Sequence, residues 1–380
     1  MDNLGIGLIG CGGMGMSVVR KLLALDKPLE VRGIFDPDER SIKSAREEIT
    51  TDPFVFDSYS DLVSSPEIDW VMIASWNCFH KEQTVASFEA GKHVFCQKPL
   101  ATTIEDAKSM FDAWRKTKRM FNLGFSLRYS NHYRRIRSML EEGLVGDLIS
   151  FEFNETLDFN HGGYIMGDWR RLQRNAGTHL LEKCCHDIDL ANWMVGSRAR
   201  RVASFGGLNF FTTKNQHRIG EIGKSKEGEE AYTTWKGLEK HNPFTSNKDI
   251  NDNQVVIIEY ENGVRATFHT NCNSALPERR MYILGTEGAI RADLLTGLIE
   301  SKRIGFETEK VEESSSVHGG HGGGDEILVK ELAESMLDGF TPTVGMEEGL
   351  RAAVTCFAID QASDQGSVVD LGPSWKFVGL

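Results

Sequence analysis

The chain begins with a short apolar run, residues 4–9 (LGIGLI), that stops at glycine, and this predicts a buried strand. Residues 13–25 carry apolar positions at helical spacing. Residues 30–35 predict a second strand and 38–48 a charged helix. Strands at 69–74, 93–96 and 120–124 follow, separated by helices at 80–90 and 103–117. Strands that alternate with helices of this length predict a parallel, doubly wound sheet.

The rhythm changes near residue 125. A helix is expected at 128–142, with Arg134, Arg135, Glu141 and Glu142 on its polar face, then a strand at 148–156. Residues 157–180 are rich in Gly, Asn, Asp and Arg and predict a loop; 183–195 predict a helix. Residues 211–250 are polar and without period, as in an insertion. Strands then cluster at 253–260, 263–270, 280–285 and 288–293, and Glu261-Asn262-Gly263 suits a hairpin. Helices at 326–338 and 346–363 close the chain. The expected fold is an α/β Rossmann domain plus a C-terminal α+β domain with a large, open, mostly antiparallel sheet. The expected division is 1–125 and 126–380, with helix 346–363 able to pack back on the first domain.

Composition narrows the function. With 380 residues, 40% hydrophobic and 26% charged, the chain suits two globular domains. A net charge of −12 disfavours a nucleic-acid or anionic-membrane partner. No apolar run reaches the ~18 residues of a membrane span. Met1-Asp2-Asn3 is acidic and does not resemble a secretory signal. Seven scattered cysteines fit reduced thiols and a cytoplasmic location better than a disulfide framework.

Gly10-Cys11-Gly12-Gly13-Met14-Gly15 is a G-x-G-x-x-G between a predicted strand and a predicted helix. Gly10 allows the tight turn, Gly12 lets backbone approach a pyrophosphate, and Gly15 permits close helix–sheet packing. The helix N-terminus adds unpaired N–H groups and partial positive charge. Asp36, at the end of the second strand, can accept from the adenosine ribose and repel a 2′-phosphate. NAD is therefore expected over NADP.

The segments HVFCQKPL (93–100) and HLLEKCCHDID (179–189), with the glycine loop, resemble the Gfo/Idh/MocA family of sugar and inositol oxidoreductases. Asn77 and His80, the LRY at 127–129 and the GHGGGDE at 320–326 extend the resemblance over nearly the whole chain. It implies hydride exchange between a sugar or cyclic polyol carbon and nicotinamide C4, and an open sheet face that builds homodimers or homotetramers. Ser75, Asn77, His80, Gln97 and Lys98 then join the glycine loop, Met14 and Asp36 as cofactor-binding positions. Lys98 matches the family's motif lysine and would polarise the hydroxyl. Gln97 stands where the family has Glu, so it can hydrogen-bond but cannot hold a proton. His186 matches the catalytic histidine, with Glu182 four residues before it, placed to tune it if one helix carries both. Arg128, Trp169, Arg170 and Asp189 are the expected substrate readers. Asp325 is expected to cap the helix that follows the glycine stretch.

Adjacent cysteines point ~100° apart on a helix, so Cys184-Cys185-His186 makes a poor zinc set even with His318 or His321; no metal is expected. Two other functions use the same glycine loop: a glycoside hydrolase working by transient oxidation and elimination, and a non-enzymatic dinucleotide-sensing regulator. The presence of both Lys98 and His186 argues against the regulator.

Overall fold

The computed structural model describes residues 3–233, 241–317 and 319–380. His318, and part of the 211–250 segment, lie outside the described residues. The chain forms two compact units, residues 1–130 with 319–353, and residues 131–318 with 354–380. Residues 319–353, expected with the second domain, belong to the first of these units. Helix Met346–Gln365 starts in the first unit and ends in the second.

In the first unit, β1 (Leu4–Ile9), β2 (Leu29–Phe35), β3 (Phe54–Val55), β4 (Trp70–Ile73), β5 (His93–Cys96) and β6 (Phe121–Leu123) form a parallel sheet of order β3-β2-β1-β4-β5-β6. Helices α1 (Gly13–Leu23), α2 (Glu39–Glu48), α3 (Tyr59–Ser64), α4 (His80–Glu89) and α5 (Ile104–Thr117) connect the strands. The strand order reverses between β1 and β4, where such sheets bind ligands at their carboxyl ends. The central strands are buried on both faces: Ile6, Leu8, Val71, Ile73 and Val94 are at most 1% exposed. Side-chain caps start the helices, with Asp38 accepting from Arg40 N, Ser58 from Asp61 N and Thr103 from Asp106 N.

In the second unit nine strands form one mixed sheet, order β14-β13-β12-β11-β7-β10-β9-β8-β15. They are β7 (Leu148–Asp158), β8 (Ala199–Gly207), β9 (Asn253–Tyr260), β10 (Arg265–Ser274), β11 (Arg280–Gly285), β12 (Gly288–Asp293), β13 (Leu298–Arg303), β14 (Val311–Ser314) and β15 (Val369–Asp370). Only β7 and β10 pair in parallel, with Phe153 beside Phe268; the other pairs are antiparallel. Gly263 turns the β9–β10 hairpin at φ 87°. On the covered face Phe151, Phe153, Leu157 and Phe268 are buried, while Phe205, Val255, Ile257 and Tyr282 stand exposed on the other.

Several expectations are corrected. Residues 157–180 are not a loop but mainly helical, at Phe159–Gly167, Trp169–Arg171, Gln173–Ala176 and from His179 onward. Their glycines serve packing: a Cβ on Gly162 would sit 1.7 Å from Cys272 O and one on Gly163 2.1 Å from Tyr232 O. The 211–250 segment contributes Phe211, Tyr232, Phe244 and Ile250 to a buried cluster with Ile165 and Met166. The helix expected at 128–142 is Asn131–Glu141, preceded by a 3-10 turn at Ser126–Tyr129. The helix expected at 183–195 is Cys185–Val195, and Glu182 ends a separate helix, His179–Glu182.

Candidate functional site

In the first unit, Gly10 adopts φ 92° and its N–H donates to Phe35 O at 2.9 Å. A Cβ there would meet the Ala74–Ser75 backbone at 2.5 Å, and one on Gly15 would meet Gly10 O at 2.2 Å. Those two glycines close the packing between strand, turn and helix. Gly12 and Gly13 differ, since a Cβ on either would meet nothing within 4 Å. Gly12 is the N-cap of α1, with no side-chain cap and no acid in the first turn. An open, uncapped helix N-terminus suits a diphosphate. Met14 is 43% exposed beside it.

Asp36 is partly buried at the end of β2. Its Oδ2 accepts from Cys11 N and its Oδ1 from Asp38 N, both at 2.8 Å. Burial raises its pKa against those two bonds. Asp38 pairs with Arg40 at 2.6 Å and holds that exposed guanidinium.

At the carboxyl ends of β4 and β5, Ser75 donates to Gln83 Oε1 at 2.6 Å, and Asn77 is 5% exposed. Gln97 N–H donates to Ile73 O at 2.8 Å, and its side chain packs on Gly124, where a Cβ would sit 2.7 Å from Oε1. Lys98 is partly exposed, and the Lys98–Pro99 bond is cis. His80 opens α4. It is fully buried, with Nδ1 2.8 Å from Pro99 O and Nε2 3.3 Å from Ser75 O. It is a strut between the loops after β4 and β5. Burial drives its pKa down to about 4. Arg128 is 8% exposed in the turn after β6.

Asp325 is not the helix cap. Gly323 is the N-cap of helix Gly324–Asp338. Asp325 lies in the first turn and takes His321 Nδ1 at 2.9 Å.

In the second unit, Thr178 Oγ1 accepts from Leu181 N at 3.1 Å and donates to Asp360 Oδ2 at 2.6 Å, anchoring helix His179–Glu182. Glu182 Oε1 accepts from Arg170 Nε at 3.2 Å. Arg170 also donates to Asp168 Oδ1 at 2.8 Å and Tyr164 OH at 2.7 Å, and lies 4.3 Å over the Trp169 ring. Burial opposes the charge on Arg170, but Glu182, Tyr164 and Asp168 outweigh it and raise its pKa. Two helices meet at Lys183–Cys184, where Cys184 turns to φ −89° and ψ 0°, so Glu182 and His186 are not carried by one helix. His186 and Asp189, within helix Cys185–Val195, are 2% and 1% exposed.

Sequence reasoning missed a neighbouring buried network. Arg279 donates to Asp187 at 2.6 Å and pairs with Glu155 at 3.1 Å, and Lys183 pairs with Glu155 at 3.4 Å. Burial raises Asp187 to about 7 against the pull of Arg279. For Glu155, burial is outweighed by Arg279 and Lys183, which hold the carboxyl near 2. The signal was present: Glu155 shares a strand face with Phe151, Phe153 and Leu157, so its charge sits in apolar register. Glu155, Cys184 and Asp187 bring potential metal ligands within 4.8 Å. Arg279 already occupies both carboxylates, and burial keeps the Cys184 thiol well above its usual pKa.

The family models match on this frame. Residues 4–125 fit "Oxidoreductase family, NAD-binding Rossmann fold" and 137–371 fit "Oxidoreductase family, C-terminal alpha/beta domain". The chain belongs to the Gfo/Idh/MocA oxidoreductase family. It is 29% identical over 308 residues to levoglucosan dehydrogenase of Pseudarthrobacter phenanthrenivorans, covering 76% of this chain and 73% of that one. It is 28% identical over 195 residues to inositol 2-dehydrogenase of Gluconacetobacter diazotrophicus, 50% of this chain and 54% of that one. A solved structure of levoglucosan dehydrogenase with NADH and levoglucosan matches in fold with TM-score 0.80 at 21% identity, covering 97% and 100% of the two chains. No helix among the described residues is long and apolar enough to cross a membrane.

Proposed function

We propose that this chain is an NAD-dependent dehydrogenase of a secondary alcohol on a sugar, sugar derivative or inositol. The observation that carries the reading is an intact dinucleotide cradle, open over Gly12 and Gly13, in a chain that keeps both Lys98 and His186. NAD, when bound, supplies the hydride acceptor at nicotinamide C4. Gly12, Gly13 and Met14 at the N-terminus of α1 hold the diphosphate; Ser75, Asn77 and Gln97 line the nicotinamide side. Asp36 accepts from the adenosine ribose. It repels a 2′-phosphate, and Asp38 keeps Arg40 from serving one, which favours NAD over NADP.

Lys98 polarises the substrate hydroxyl and His186 takes its proton. Glu182, clamped by Arg170, sets the charge around that histidine. Arg128, Trp169, Arg170 and Asp189 read the substrate. The cations Arg170, Lys183 and Arg279 are all paired with carboxylates, so this region offers hydrogen bonds more than net charge. That suits an uncharged, hydroxyl-rich ring. The apolar sheet face around Phe205, Val255 and Ile257 is the proposed homodimer or homotetramer interface. Seven free cysteines fit a cytoplasmic setting.

The test is NAD reduction across inositols, aldoses and anhydrosugars, with nitrophenyl glycosides beside them. NADH accumulating with turnover supports the dehydrogenase. Nitrophenol release without NADH supports the elimination-type hydrolase instead. Lys98→Ala and His186→Ala should each lower turnover on the order of 10²-fold while NADH still binds; unchanged turnover in both removes the site.

A further inference from the structure

In the second unit, Asp168 and Glu182 pair with Arg170, and Glu155 and Asp187 with Arg279. Asp360, partly buried on helix Met346–Gln365, is held differently. Its Oδ2 accepts from the Thr178 hydroxyl at 2.6 Å and its Oδ1 from Gln254 Nε2 at 3.4 Å; among the described residues no cation pairs with it. On its own helix Cys356 lies one turn before it and Asp364 one turn after. β9 presents Gln254, which also donates to Ser204 on β8 at 2.9 Å, and the N-cap of helix His179–Glu182 presents Thr178. Burial raises the carboxyl to about 7 against the bonds from Thr178 and Gln254, and the Asp364 charge adds to the rise. A carboxylate without a counter-ion costs stability. The folded pKa lies above the ordinary 3.8, so the unfolded state gives up its proton first as pH rises, and the whole cost is in force above about pH 7.

The use of that charge follows from the Thr178 hydroxyl, which has one proton and two partners. Thr178 Oγ1 accepts from Leu181 N at 3.1 Å and so caps the helix. Capping requires the hydroxyl proton to point away from that N–H, and Asp360 Oδ2 takes it. An ionised acceptor fixes this orientation more strongly than a neutral one. The capped helix is four residues long, too short to hold itself, and Glu182 is its last residue.

We propose that ionised Asp360 is a positioning residue for the oxidation: through the Thr178 cap it holds the short helix so that Glu182 stays in place to set the charge around His186. The inference rests on the dehydrogenase reading, and the experiment keeps the two apart. Asp360→Asn keeps the size and an acceptor for Thr178 but not the charge. NAD reduction is followed at pH 8 with the best substrate of the screen above, and melting temperatures are taken at the same pH. In Asp360→Asn, kcat should fall about fivefold, one charge-assisted hydrogen bond reduced to a neutral one, with KM within about twofold. The melting temperature should rise, because a charge without a counter-ion is gone. A merely structural role predicts the other sign, with activity and melting temperature falling together. Glu182→Gln gives the second measure. In that background Asp360→Asn should change kcat by less than about twofold, since the residue it positions is already altered. Unchanged kcat in Asp360→Asn overturns the inference. So does a loss with an unchanged or lower melting temperature, or a loss that persists in Glu182→Gln. A wild type that reduces NAD with none of the inositols, aldoses or anhydrosugars removes the dehydrogenase reading, and this inference with it.

Discussion

His80 makes the stability of the first unit sensitive to acid. Its imidazole is fully buried, with one ring nitrogen 2.8 Å from Pro99 O and the other 3.3 Å from Ser75 O. Two effects compete. A cation would donate to both carbonyls, while the neutral ring donates to one; that difference is about 1 kcal/mol. Burying the charge costs several kcal/mol, and Lys98 adds repulsion. Burial wins, and the pKa falls from 6.5 to about 4. The folded pKa lies below the unfolded one, so the unfolded state takes up the proton first as pH drops. The contribution is complete above about pH 7 and is lost as pH falls from 6.5 towards 4. At pH 5 the loss is about 2 kcal/mol, from the ratio of unfolded to folded proton uptake. His80→Asn keeps a donor for one carbonyl but cannot titrate. At pH 7.5 it should be less stable than wild type by about 1–2 kcal/mol, for lost packing and one orphaned carbonyl. By pH 5 the wild type should have lost about 2 kcal/mol that the variant does not lose, so the gap closes or reverses. Urea unfolding at the two pH values, followed by circular dichroism, measures this. A gap that is the same at pH 7.5 and pH 5 would refute the reasoning and mean that the buried ring carries its proton.

Gly15→Ala would set a methyl 2.2 Å from Gly10 O, a backbone atom with nowhere to go. It should cost about 2–3 kcal/mol in thermal stability and lower NADH affinity in a direct titration. Asp36→Ser should weaken NAD and relax discrimination against NADP; a wild type that already prefers NADP would refute the role of Asp36. Arg279→Met leaves Asp187 and Glu155 buried without their main counter-charge. It should destabilise the second unit by about 3–5 kcal/mol in urea, with part recovered by adding Asp187→Asn.

The first unit was legible because its signals are local. Short apolar runs, helices between them and a glycine loop at one junction define a doubly wound sheet without any long-range information. The second unit was read less well, for physical reasons. β8 is ARRVASFGG, with Arg200 and Arg201 exposed, and β13 and the edge strand β14 carry Glu, Ser and Lys, so these strands do not look apolar. Gly162 and Gly163 looked like loop residues, and only the close approach of Cys272 and Tyr232 explains them inside a helix. His80 is a cofactor position by the family resemblance alone. Its burial depends on the two loops it ties, and those are separate in sequence.

The break at Lys183 matters most for the site motif. Had one helix run from residue 179 to 195, Glu182 and His186 would lie one turn apart, and one pair could be tuned by itself. Instead each side chain answers to a different anchor. Thr178 and Asp360 fix the short helix that carries Glu182. Arg279 grips Asp187, next to His186, and ties that helix to Glu155 on β7. Lys183 spans the break and pairs with Glu155 as well. The buried ionic network and the capping hydroxyl therefore add to the backbone bonds from Lys183 N–H to His179 O and from Cys184 N–H to Leu180 O in fixing the acid and the imidazole. Such a network is costly to assemble and loses several kcal/mol if one partner is removed. A substitution at Arg279 or Asp360 can thus displace the motif while leaving all its residues in place.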